Sequence, residues 1–249
     1  MPKTVLITGS SSGFGFAMVN NFLNAGWQVI ATMRTPREDV LPRSERLRVL
    51  ALDITKPKSI AAAVDAAGPI DVLVNNAGIG LLGAFEATPM ETTRDVFETN
   101  TFGPMATTQA FVPYFRQRKS GVIVNVTSSA TLAPFPLVAV YTASKTAVEG
   151  FSASLALELQ QFNVRVKLVE PGYCPDTRFA ENGGPRMQGL ITEPYAQYVQ
   201  GIFAEFSKVS VTTSPSHVAE TIWHAANDAS DRLHFPAGPD AVALANAKP

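Results

Sequence analysis

The sequence has 249 residues, of which 46% are hydrophobic and 16% charged, and this composition excludes a mostly disordered chain. Twenty basic against twenty-one acidic residues give a net charge of −1, which argues against nucleic-acid and anionic-membrane partners. The single cysteine excludes an internal disulfide, and three scattered histidines argue against a metal site. A domain holds roughly 100 to 200 residues, so the length allows one large domain or two small ones, and one domain over residues 1–249 is favoured.

Short apolar runs alternate along the chain with longer segments of helical period. The runs predict strands at 4–8, 28–32, 47–52, 72–74, 122–127 and 164–169, with a weaker strand at 233–235. Helices are predicted between them at 13–25, 58–66, 89–100, 104–119, 140–160 and 216–228. Because the strands are apolar throughout, both faces of the sheet should be buried, as in a parallel sheet covered by helices. We therefore expect an α/β fold.

The stretch 172–215 is rich in Gly and Pro and has no sustained strand pattern. It is predicted to be a long loop with a short helix at 195–206, and such loops are often lids over a site. We call residues 174–215 the lid segment and expect it to cover the substrate. The first residues do not form a signal peptide and no long apolar run follows, so a cytoplasmic protein is expected.

A glycine-rich turn separates the first predicted strand from the first predicted helix, with the spacing Gly-x-x-x-Gly-x-Gly. This position suits phosphate binding, because glycines permit close backbone approach and the N–H groups of a helix N-terminus attract negative charge. The candidate cofactor-binding residues of the turn are Gly9, Ser11, Ser12, Gly13, Phe14 and Gly15.

The residues that follow the second strand indicate which dinucleotide is bound. An acidic side chain at this position binds the ribose 2′-hydroxyl of NAD, whereas this chain has Met33 and Arg34. Arg34, with Arg37 nearby, is suited to charge-assisted hydrogen bonds with a 2′-phosphate. NADP is therefore favoured and NAD is the alternative, while a solvated surface role for Arg34 stays open.

Tyr141 and Lys145 are four residues apart in a predicted helix, so they lie on one face, one turn apart. An ammonium group nearby stabilises a phenolate and lowers the pKa of the phenol. A phenol pKa near 7 requires roughly 4 kcal/mol, comparable with one charge pair about 4 Å apart at an effective dielectric constant of about 20. The pair is a candidate proton donor, although most such pairs are ordinary neighbours on a helix surface.

Two more segments are expected at the same edge of the sheet, where ligands of parallel sheets bind. Ser128, with Ser129 as the alternative, follows one apolar strand, and Asn-Asn-Ala-Gly at 75–78 follows another. A hydroxyl group there is able to orient a substrate oxygen, and small residues and amides suit close packing against a nucleotide. A simple turn would have the same composition.

Together these residues resemble the classical short-chain dehydrogenase/reductase family. The family's order and spacing extend over nearly the whole chain, in 8–15 (Thr-Gly-x-x-x-Gly-x-Gly), 75–78, Ser128, Tyr141 with Lys145, and Pro171 with Gly172. The resemblance implies a Rossmann-like three-layer sandwich with a central parallel sheet of about seven strands. It also implies hydride transfer between a nicotinamide and a carbonyl or alcohol carbon.

The resemblance assigns a role to each of four catalytic residues. Tyr141 is expected to be the general acid in reduction, and Lys145 to hold the nicotinamide ribose and depress the phenol pKa. Ser128 is expected to orient the carbonyl, and Asn100 to anchor a water of the proton relay. The implied cofactor contacts outside the glycine turn are Arg34, Asp53, Ile54, Asn76, Ala77, Gly78, Tyr141, Lys145, Pro171 and Gly172.

Two further expectations concern assembly and one departure from the family pattern. A homodimer or homotetramer packed through the helices at 104–119 and 140–160 is implied by the resemblance.

The family commonly has Pro-Gly-x-x-x-Thr, whereas Thr177 stands one place late after Gly172, which leaves the carboxamide contacts of this loop open. Asp176 is either a helix cap or a charge beside the cofactor.

The residues expected around the reacting carbon are mostly apolar, which favours a small apolar ketone or alcohol as substrate. They are Leu81, Leu82, Phe85, Phe135, Leu137, Val138, Phe179, Tyr195, Tyr198, Phe203 and Phe206. Packing is the alternative role for the aromatic residues of the lid segment. Arg178 and Arg186 leave an anionic substrate open.

The sequence favours an NADP(H)-dependent ketone reductase that uses no metal, and it leaves two alternative functions open. Residues 9–13 match the Gly-x-Ser-x-Gly pattern of serine hydrolases, but only one strand precedes Ser11, whereas the nucleophile elbow follows several. A non-catalytic NADP-binding sensor would use the same fold, because a fold does not determine a function. The complete set of Ser128, Tyr141 and Lys145 argues against the sensor.

Overall fold

The computed structural model describes residues 2–177, 179–206 and 209–247. In these ranges seven strands form a single sheet with the order β3-β2-β1-β4-β5-β6-β7, and all neighbouring pairs are parallel. The strands are β1 (Thr4–Ile7), β2 (Gln28–Met33), β3 (Leu47–Ala51), β4 (Val72–Asn75), β5 (Gly121–Val126), β6 (Val164–Pro171) and β7 (His234–Ala237). The predicted α/β fold with a parallel sheet of about seven strands is confirmed.

Helices connect the strands and cover both faces of the sheet. They are α1 (Gly13–Asn24), α2 (Pro57–Ala67), α3 (Met90–Phe97), α4 (Gly103–Arg118), α5 (Ala139–Gln160), α6 (Phe179–Met187), α7 (Ala196–Phe206), α8 (Pro215–Asn227) and α9 (Pro239–Asn246). Across the described residues, no helix combines the length and the apolar character needed to cross a membrane.

The core has two layers, because successive residues of each strand point to opposite faces of the sheet. On one face, Val5 and Ile7 of β1 belong to the cluster that contains Phe22 of α1 and Ile222 of α8. On the other face, Leu6 packs in a second cluster, formed with residues of α4 and α5. This two-sided burial explains why the strands are apolar throughout instead of alternating.

The order of the strands places a crevice at the carboxyl end of β1. The neighbours of β1 are β2 and β4, so the chain leaves β1 in one direction and later returns on its other side. Crevices of this kind, at the point where the strand order reverses, are the usual ligand sites of open parallel sheets. The glycine-rich turn and the segment 75–78 follow β1 and β4 directly, at this crevice.

The helices differ from the predictions in three places. The helices predicted at 89–100 and 104–119 are not separated by a break, since a π-helical turn (Glu98–Phe102) joins α3 to α4. Pro104 lies in the first turn of α4, where proline is tolerated. The helix α6 lies in the predicted loop, where Gly183 packs against Met187. The helix α9 was not predicted, although Gly238 followed by Pro239 is a regular signal for a helix start.

Candidate active site

The glycine-rich turn is packed so closely that two of its positions exclude any side chain. Gly9 has φ +72°, and a Cβ there would lie 2.9 Å from the Cα of Ala77. A Cβ at Gly15 would overlap the carbonyl oxygen of Gly9. Ser12, at the start of α1, makes no side-chain capping bond, so the first N–H groups of the helix have no side-chain acceptor at this cap. The turn has the geometry expected of a phosphate-binding loop.

Thr8 joins the glycine turn to the segment that follows β4. Its hydroxyl oxygen accepts hydrogen bonds from the N–H of Asn76 at 2.9 Å and from the N–H of Ala77 at 3.0 Å. In return, the side-chain amide of Asn76 donates to the carbonyl oxygens of Thr8 and Gly9 at 2.9 and 3.1 Å. Two motifs that are about 70 residues apart in sequence therefore form one structural unit.

Ser128 and Tyr141 meet at the carboxyl edge of the sheet. Ser128 follows β5, and its hydroxyl oxygen accepts the N–H of Ala130 at 3.2 Å. The side chains of Ser128 and Tyr141 are hydrogen-bonded to each other. Ser129, the alternative predicted from sequence, is buried in the short 3₁₀ turn that Ser128 caps. The structure therefore favours Ser128 over Ser129 as the partner of Tyr141.

Lys145 lies one turn after Tyr141 in α5 and is 95% buried, with a relative exposure of 5%. Its ammonium group donates a hydrogen bond of 3.0 Å to the carbonyl of Val126 at the end of β5. Gly78 provides the space beside it, since a Cβ at that position would lie 3.4 Å from Lys145 Nζ and 3.2 Å from Asn100 Oδ1. Lys145, Gly78 and Asn100 therefore meet at one point.

Asn100 lies in the π-helical turn and is fully buried. Its Oδ1 accepts the N–H of Ile79 at 2.8 Å, and its Nδ2 donates to the carbonyl of Ile79 at 2.8 Å. The same Nδ2 lies 3.2 Å from the hydroxyl of Ser144, which donates to the carbonyl of Tyr141 at 2.7 Å. Asn100 thus couples the segment after β4 to the turn of α5 that carries Tyr141.

Residues 3–187 match the family model described as short chain dehydrogenase. The chain belongs to the short-chain dehydrogenase family. Family membership confirms the resemblance seen in the motifs and makes the chain an oxidoreductase of the CH–OH dehydrogenase and reductase type, which the serine-hydrolase alternative does not fit. The geometry agrees, because the described ring hydrogen bonds of His217 and His234 lead to Ser214 and Glu170 and not to Ser11.

Proteins of similar sequence align with most or part of this dehydrogenase. It is 35% identical over 254 residues to the uncharacterized oxidoreductase YusZ of Bacillus subtilis, covering 95% of this chain and 89% of YusZ. It is 38% identical to 3-ketodihydrosphingosine reductase of Bacteroides thetaiotaomicron, covering 73% of this chain and 67% of the relative. It is 40% identical to retinol dehydrogenase 8 of Bos taurus, covering 69% of this chain and 59% of the relative.

Solved structures share the whole fold of this dehydrogenase. A short-chain dehydrogenase from Streptomyces avermitilis has a TM-score of 0.82 and 33% identity, covering 99% of this chain and 91% of its own. A short-chain dehydrogenase/reductase from Burkholderia phymatum in complex with NAD has a TM-score of 0.81 and 25% identity, with coverages of 98% and 92%. ElxO with NADP bound has a TM-score of 0.78 and 25% identity, with coverages of 95% and 98%. Similar folds therefore bind either nicotinamide dinucleotide.

The pKa values of Tyr141 and Lys145 in this dehydrogenase differ from the sequence prediction. Burial raises the pKa of Tyr141 to about 12, and the hydrogen bond with Ser128 acts in the opposite direction without cancelling that effect. Burial lowers the pKa of Lys145 to about 8. In the polypeptide itself, Lys145 therefore does not depress the pKa of the phenol below its usual value. Loss of hydration of the phenolate outweighs the attraction that the sequence argument considered.

The residues predicted to select the dinucleotide lie at the end of β2, and Asp53, an implied cofactor contact, follows β3. Met33 is buried and Arg34 is exposed at the carboxyl end of β2. Burial tends to raise the pKa of Asp53, but hydrogen bonds from Thr55 and the charges of Arg34 and Lys56 outweigh it and lower this pKa. The charge of Arg34 acts on Asp53, so the two predicted residues lie near each other.

Ile54, which the resemblance also implies as a cofactor contact, is buried beneath the same region. It belongs to an apolar cluster against which Ala77 packs. A Cβ at Gly103 would lie 2.7 Å from the Cδ1 of Ile54, so Ile54 also supports the start of α4. The side chain of Ile54 is thus a packing residue between β3 and α4.

The loop after β6 returns to the glycine turn in spite of the late threonine. The hydroxyl of Thr177 donates to the carbonyl of Cys174 at 3.1 Å. A Cβ at Gly13 would lie 3.7 Å from two carbon atoms of Thr177, which is ordinary contact distance. Asp176 is exposed, and Arg178 lies outside the described residues. One extra residue is therefore accommodated within the loop, and Thr177 still reaches the glycine-rich turn.

The predicted apolar rim separates into buried and exposed members. Leu81 is buried in a cluster with Leu190, against which Tyr141 packs. Phe206 of the lid segment contacts Phe135 and Tyr173, with ring centroids 6.4 and 5.6 Å apart. The exposed rim residues are Phe85, Tyr198 and Phe203. The side chain of Phe179 lies outside the described residues.

One residue close to this region was not found from the sequence. Asp240, in the first turn of α9, accepts the N–H of Tyr173 at 2.6 Å, directly after Pro171 and Gly172. Gly172 itself donates to the carbonyl of Ala237 at 3.0 Å. Only the signal for a helix start at Pro239 would have indicated an acidic side chain in a first helical turn. Among the described residues, no group of three or more His, Cys, Asp or Glu is placed to bind a metal ion.

Proposed function

We propose that this chain is an NADP(H)-dependent reductase of apolar ketones, or the dehydrogenase of the corresponding secondary alcohols. One observation carries the proposal: at the carboxyl edge of the sheet, the side chain of Ser128 is hydrogen-bonded to Tyr141, which lies on the same face of α5 as the buried Lys145. These three groups are the minimum needed to orient a carbonyl and deliver a proton to its oxygen.

The residues of the crevice suit a dinucleotide. The turn at Gly9 and Gly15 has no room for side chains, so its backbone is open to a pyrophosphate, with Ser11, Ser12, Gly13 and Phe14 completing the loop. Arg34 is exposed where a ribose 2′-phosphate would be bound, which supports NADP over NAD. We assign the remaining contacts to Asp53, Ile54, Asn76, Ala77, Gly78, Tyr141, Lys145, Pro171 and Gly172.

The chemistry divides between the nicotinamide and the side chains. When bound, the nicotinamide supplies the hydride for reduction or accepts it in oxidation. The hydroxyl of Ser128 donates to the carbonyl oxygen of the substrate and holds it beside Tyr141. Tyr141, with a pKa of about 12, keeps its proton at neutral pH and transfers it to that oxygen as negative charge develops. Lys145, with a pKa of about 8, is mostly cationic at pH 7 and stabilises the phenolate that remains.

The proton lost by Tyr141 must be replaced from solvent, and Asn100 is placed to support this step. Asn100 is followed four residues later by Pro104, which has no N–H group to donate to the backbone carbonyl of Asn100. The side chain of Asn100 is already bonded to Ile79 and Ser144. The backbone carbonyl is therefore the group through which Asn100 would anchor a relay water.

The proposed substrate class is an apolar ketone or alcohol bound beneath the lid segment. The aromatic contacts of Phe206 with Phe135 and Tyr173 provide an apolar wall at this side. Two of the relatives are named for retinol and for 3-ketodihydrosphingosine, both largely hydrocarbon, which supports the same class. A metal ion is not part of the proposal.

We further propose that the chain works in the cytoplasm as one domain, and as a homodimer or homotetramer packed through α4 and α5. Leu157 on α5 is 75% exposed, which supports a partner surface on this helix. The molar mass in solution, measured by light scattering, tests the assembly. A monomer at micromolar concentration would contradict this part of the proposal.

The function is tested by mixing the purified protein with NADPH and a panel of apolar ketones and aldehydes, and following the absorbance of NADPH. Turnover is expected with apolar ketones, and Tyr141→Phe should reduce it by about 10³-fold or more while NADPH binding is preserved. Retained turnover in this variant would reject the role of Tyr141. Tight NADPH binding with no turnover of any carbonyl would instead favour the non-catalytic sensor.

A further inference from the structure

The helix α9 carries a carboxylate that contacts both ends of the lid segment. Asp240 Oδ2 accepts the N–H of Tyr173, the residue before the lid segment, at 2.6 Å. Asp240 Oδ1 accepts the hydroxyl of Thr213, near the end of the lid segment. One side chain therefore binds two residues that are separated by 40 positions in sequence. The carboxylate also lies in the first turn of α9, where negative charge is favourable.

The two ends of the lid segment are also bonded directly to each other. The N–H of Thr213 donates to the carbonyl of Tyr173 at 2.8 Å. The hydroxyl of Thr213 lies 3.1 Å from the carbonyl of Ala237, at the end of β7. The lid segment is consequently a loop closed at its base, and we call the contact of Tyr173, Thr213 and Asp240 the lid neck.

Two glycines at the lid neck leave no space for a side chain. A Cβ at Gly172 would overlap the carboxylate of Asp240. A Cβ at Gly238 would overlap the hydroxyl of Thr213, and Gly238 has φ +99°, a conformation that residues with side chains rarely adopt. Both glycines are therefore needed for the carboxylate and the hydroxyl to reach each other.

We propose that Asp240 is a positioning residue that holds the backbone of Gly172 and Tyr173 against the nicotinamide end of the crevice and keeps the lid segment closed at its base. This inference rests on the proposed function, in which Pro171 and Gly172 contact the cofactor. Asp240 takes no part in proton transfer, because its two oxygens are occupied by Tyr173 and Thr213. Its loss affects binding of cofactor and substrate more than the chemical step.

The test compares Asp240→Asn with the wild-type protein and with Asp231→Asn, a control at an exposed aspartate. An asparagine keeps the size of the side chain but removes its negative charge, so the two charge-assisted hydrogen bonds to Tyr173 and Thr213 become weaker. The dissociation constant of NADPH, measured by nicotinamide fluorescence, should rise about fivefold, the factor that corresponds to about 1 kcal/mol. Hydrogen exchange should become faster in peptides at 173–177 and 209–214 and stay unchanged in β1 and β4.

A second pair of variants separates the neck from a general loss of stability. Thr213→Val removes the hydroxyl and should reproduce the faster exchange, whereas Thr213→Ser keeps the hydroxyl and should restore wild-type behaviour. With the ketone that the wild-type protein turns over best, Asp240→Asn should raise KM by about fivefold or more and change kcat by less than about threefold.

The failure of this inference is distinguishable from the failure of the proposed function. If the wild-type protein binds NADPH, and Asp240→Asn binds it equally well with unchanged exchange at 173–177, the positioning role is overturned. A fall of kcat in Asp240→Asn with unchanged KM would also overturn it, because the residue would then act on the chemical step. If the wild-type protein does not bind NADPH, the proposed function fails, while the exchange measurements still test the lid neck.

Discussion

Two hydrogen bonds of 2.8 Å join the side-chain amide of Asn100 to the backbone of Ile79, with Oδ1 accepting the N–H and Nδ2 donating to the carbonyl. The amide thereby satisfies both polar groups of one residue in the segment after β4. The π-helical turn is what directs Asn100 to this position between α3 and α4. Such turns interrupt the regular helical ladder and are frequent at functional sites.

Asn100→Ala should destabilise the protein by about 1–3 kcal/mol, because the N–H and carbonyl of Ile79 lose their partners in a partly buried position. Urea-induced unfolding followed by circular dichroism measures this change. Asn227→Ala, on the exposed face of α8, serves as the control and should change stability by less than about 0.5 kcal/mol. Equal effects of the two substitutions would contradict a bridging role for Asn100.

Lys145→Met should stabilise the protein at pH 7 while removing its activity. The pKa of Lys145 is about 8 in the folded protein and 10.5 as the reference value, so folding opposes its charge. This cost is fully present below about pH 8, decreases as the pH rises, and is absent above about pH 10.5. The stabilisation is expected to be about 1–3 kcal/mol, reduced from the full linkage value by the hydrogen bond lost at Val126.

Thermal unfolding of both proteins between pH 6.5 and pH 10.5 measures this dependence on pH. The variant should have the higher Tm at pH 7, and the difference should shrink towards zero at the alkaline end. A difference in Tm that does not change with pH would show that the charge of Lys145 is not responsible.

Arg34→Ala should weaken the binding of NADPH by about 10- to 100-fold, the range expected for the loss of a charge-assisted hydrogen bond to a phosphate. Binding of NADH, which has a hydroxyl in place of that phosphate, should change less than about threefold. Arg43→Ala, at another exposed arginine after β2, is the matched control. Equal losses for NADPH and NADH in the Arg34 variant would assign the residue to another part of the dinucleotide.

Gly15→Ala should abolish high-affinity NADPH binding, because its Cβ would overlap the carbonyl of Gly9 and displace the glycine turn. The backbone shift should also lower the stability by about 1–3 kcal/mol, as overpacking of a buried site does. Gly201→Ala has open space around it in α7 and should leave NADPH binding unchanged. Isothermal titration with NADPH distinguishes the two variants, and unchanged affinity in Gly15→Ala would refute the close-packed turn.

Several features of the site were predictable because local residue patterns determine them. Apolar residues on both faces of the strands predicted a covered parallel sheet, and the carboxyl ends of those strands placed Thr8, Asn76 and Ser128 at one edge. The spacing of Tyr141 and Lys145 placed them on the same face of α5, since it depends only on helical geometry. These conclusions follow from the periodicity of the backbone and need no knowledge of distant contacts.

Other features depend on residues that are far apart in the sequence. The direction of the pKa change at Tyr141 is set by how completely the fold removes water from the phenol, and a spacing of four residues contains no information about burial. Likewise, Asp240 is 67 residues from Tyr173, and only the folded chain brings its carboxylate to that N–H group. The sequence determined which residues and strands form the crevice, whereas tertiary packing decided the pKa shifts of Tyr141 and Lys145 and the contacts of Asp240 with Tyr173 and Thr213, because desolvation and long-range hydrogen bonds exist only in the folded state.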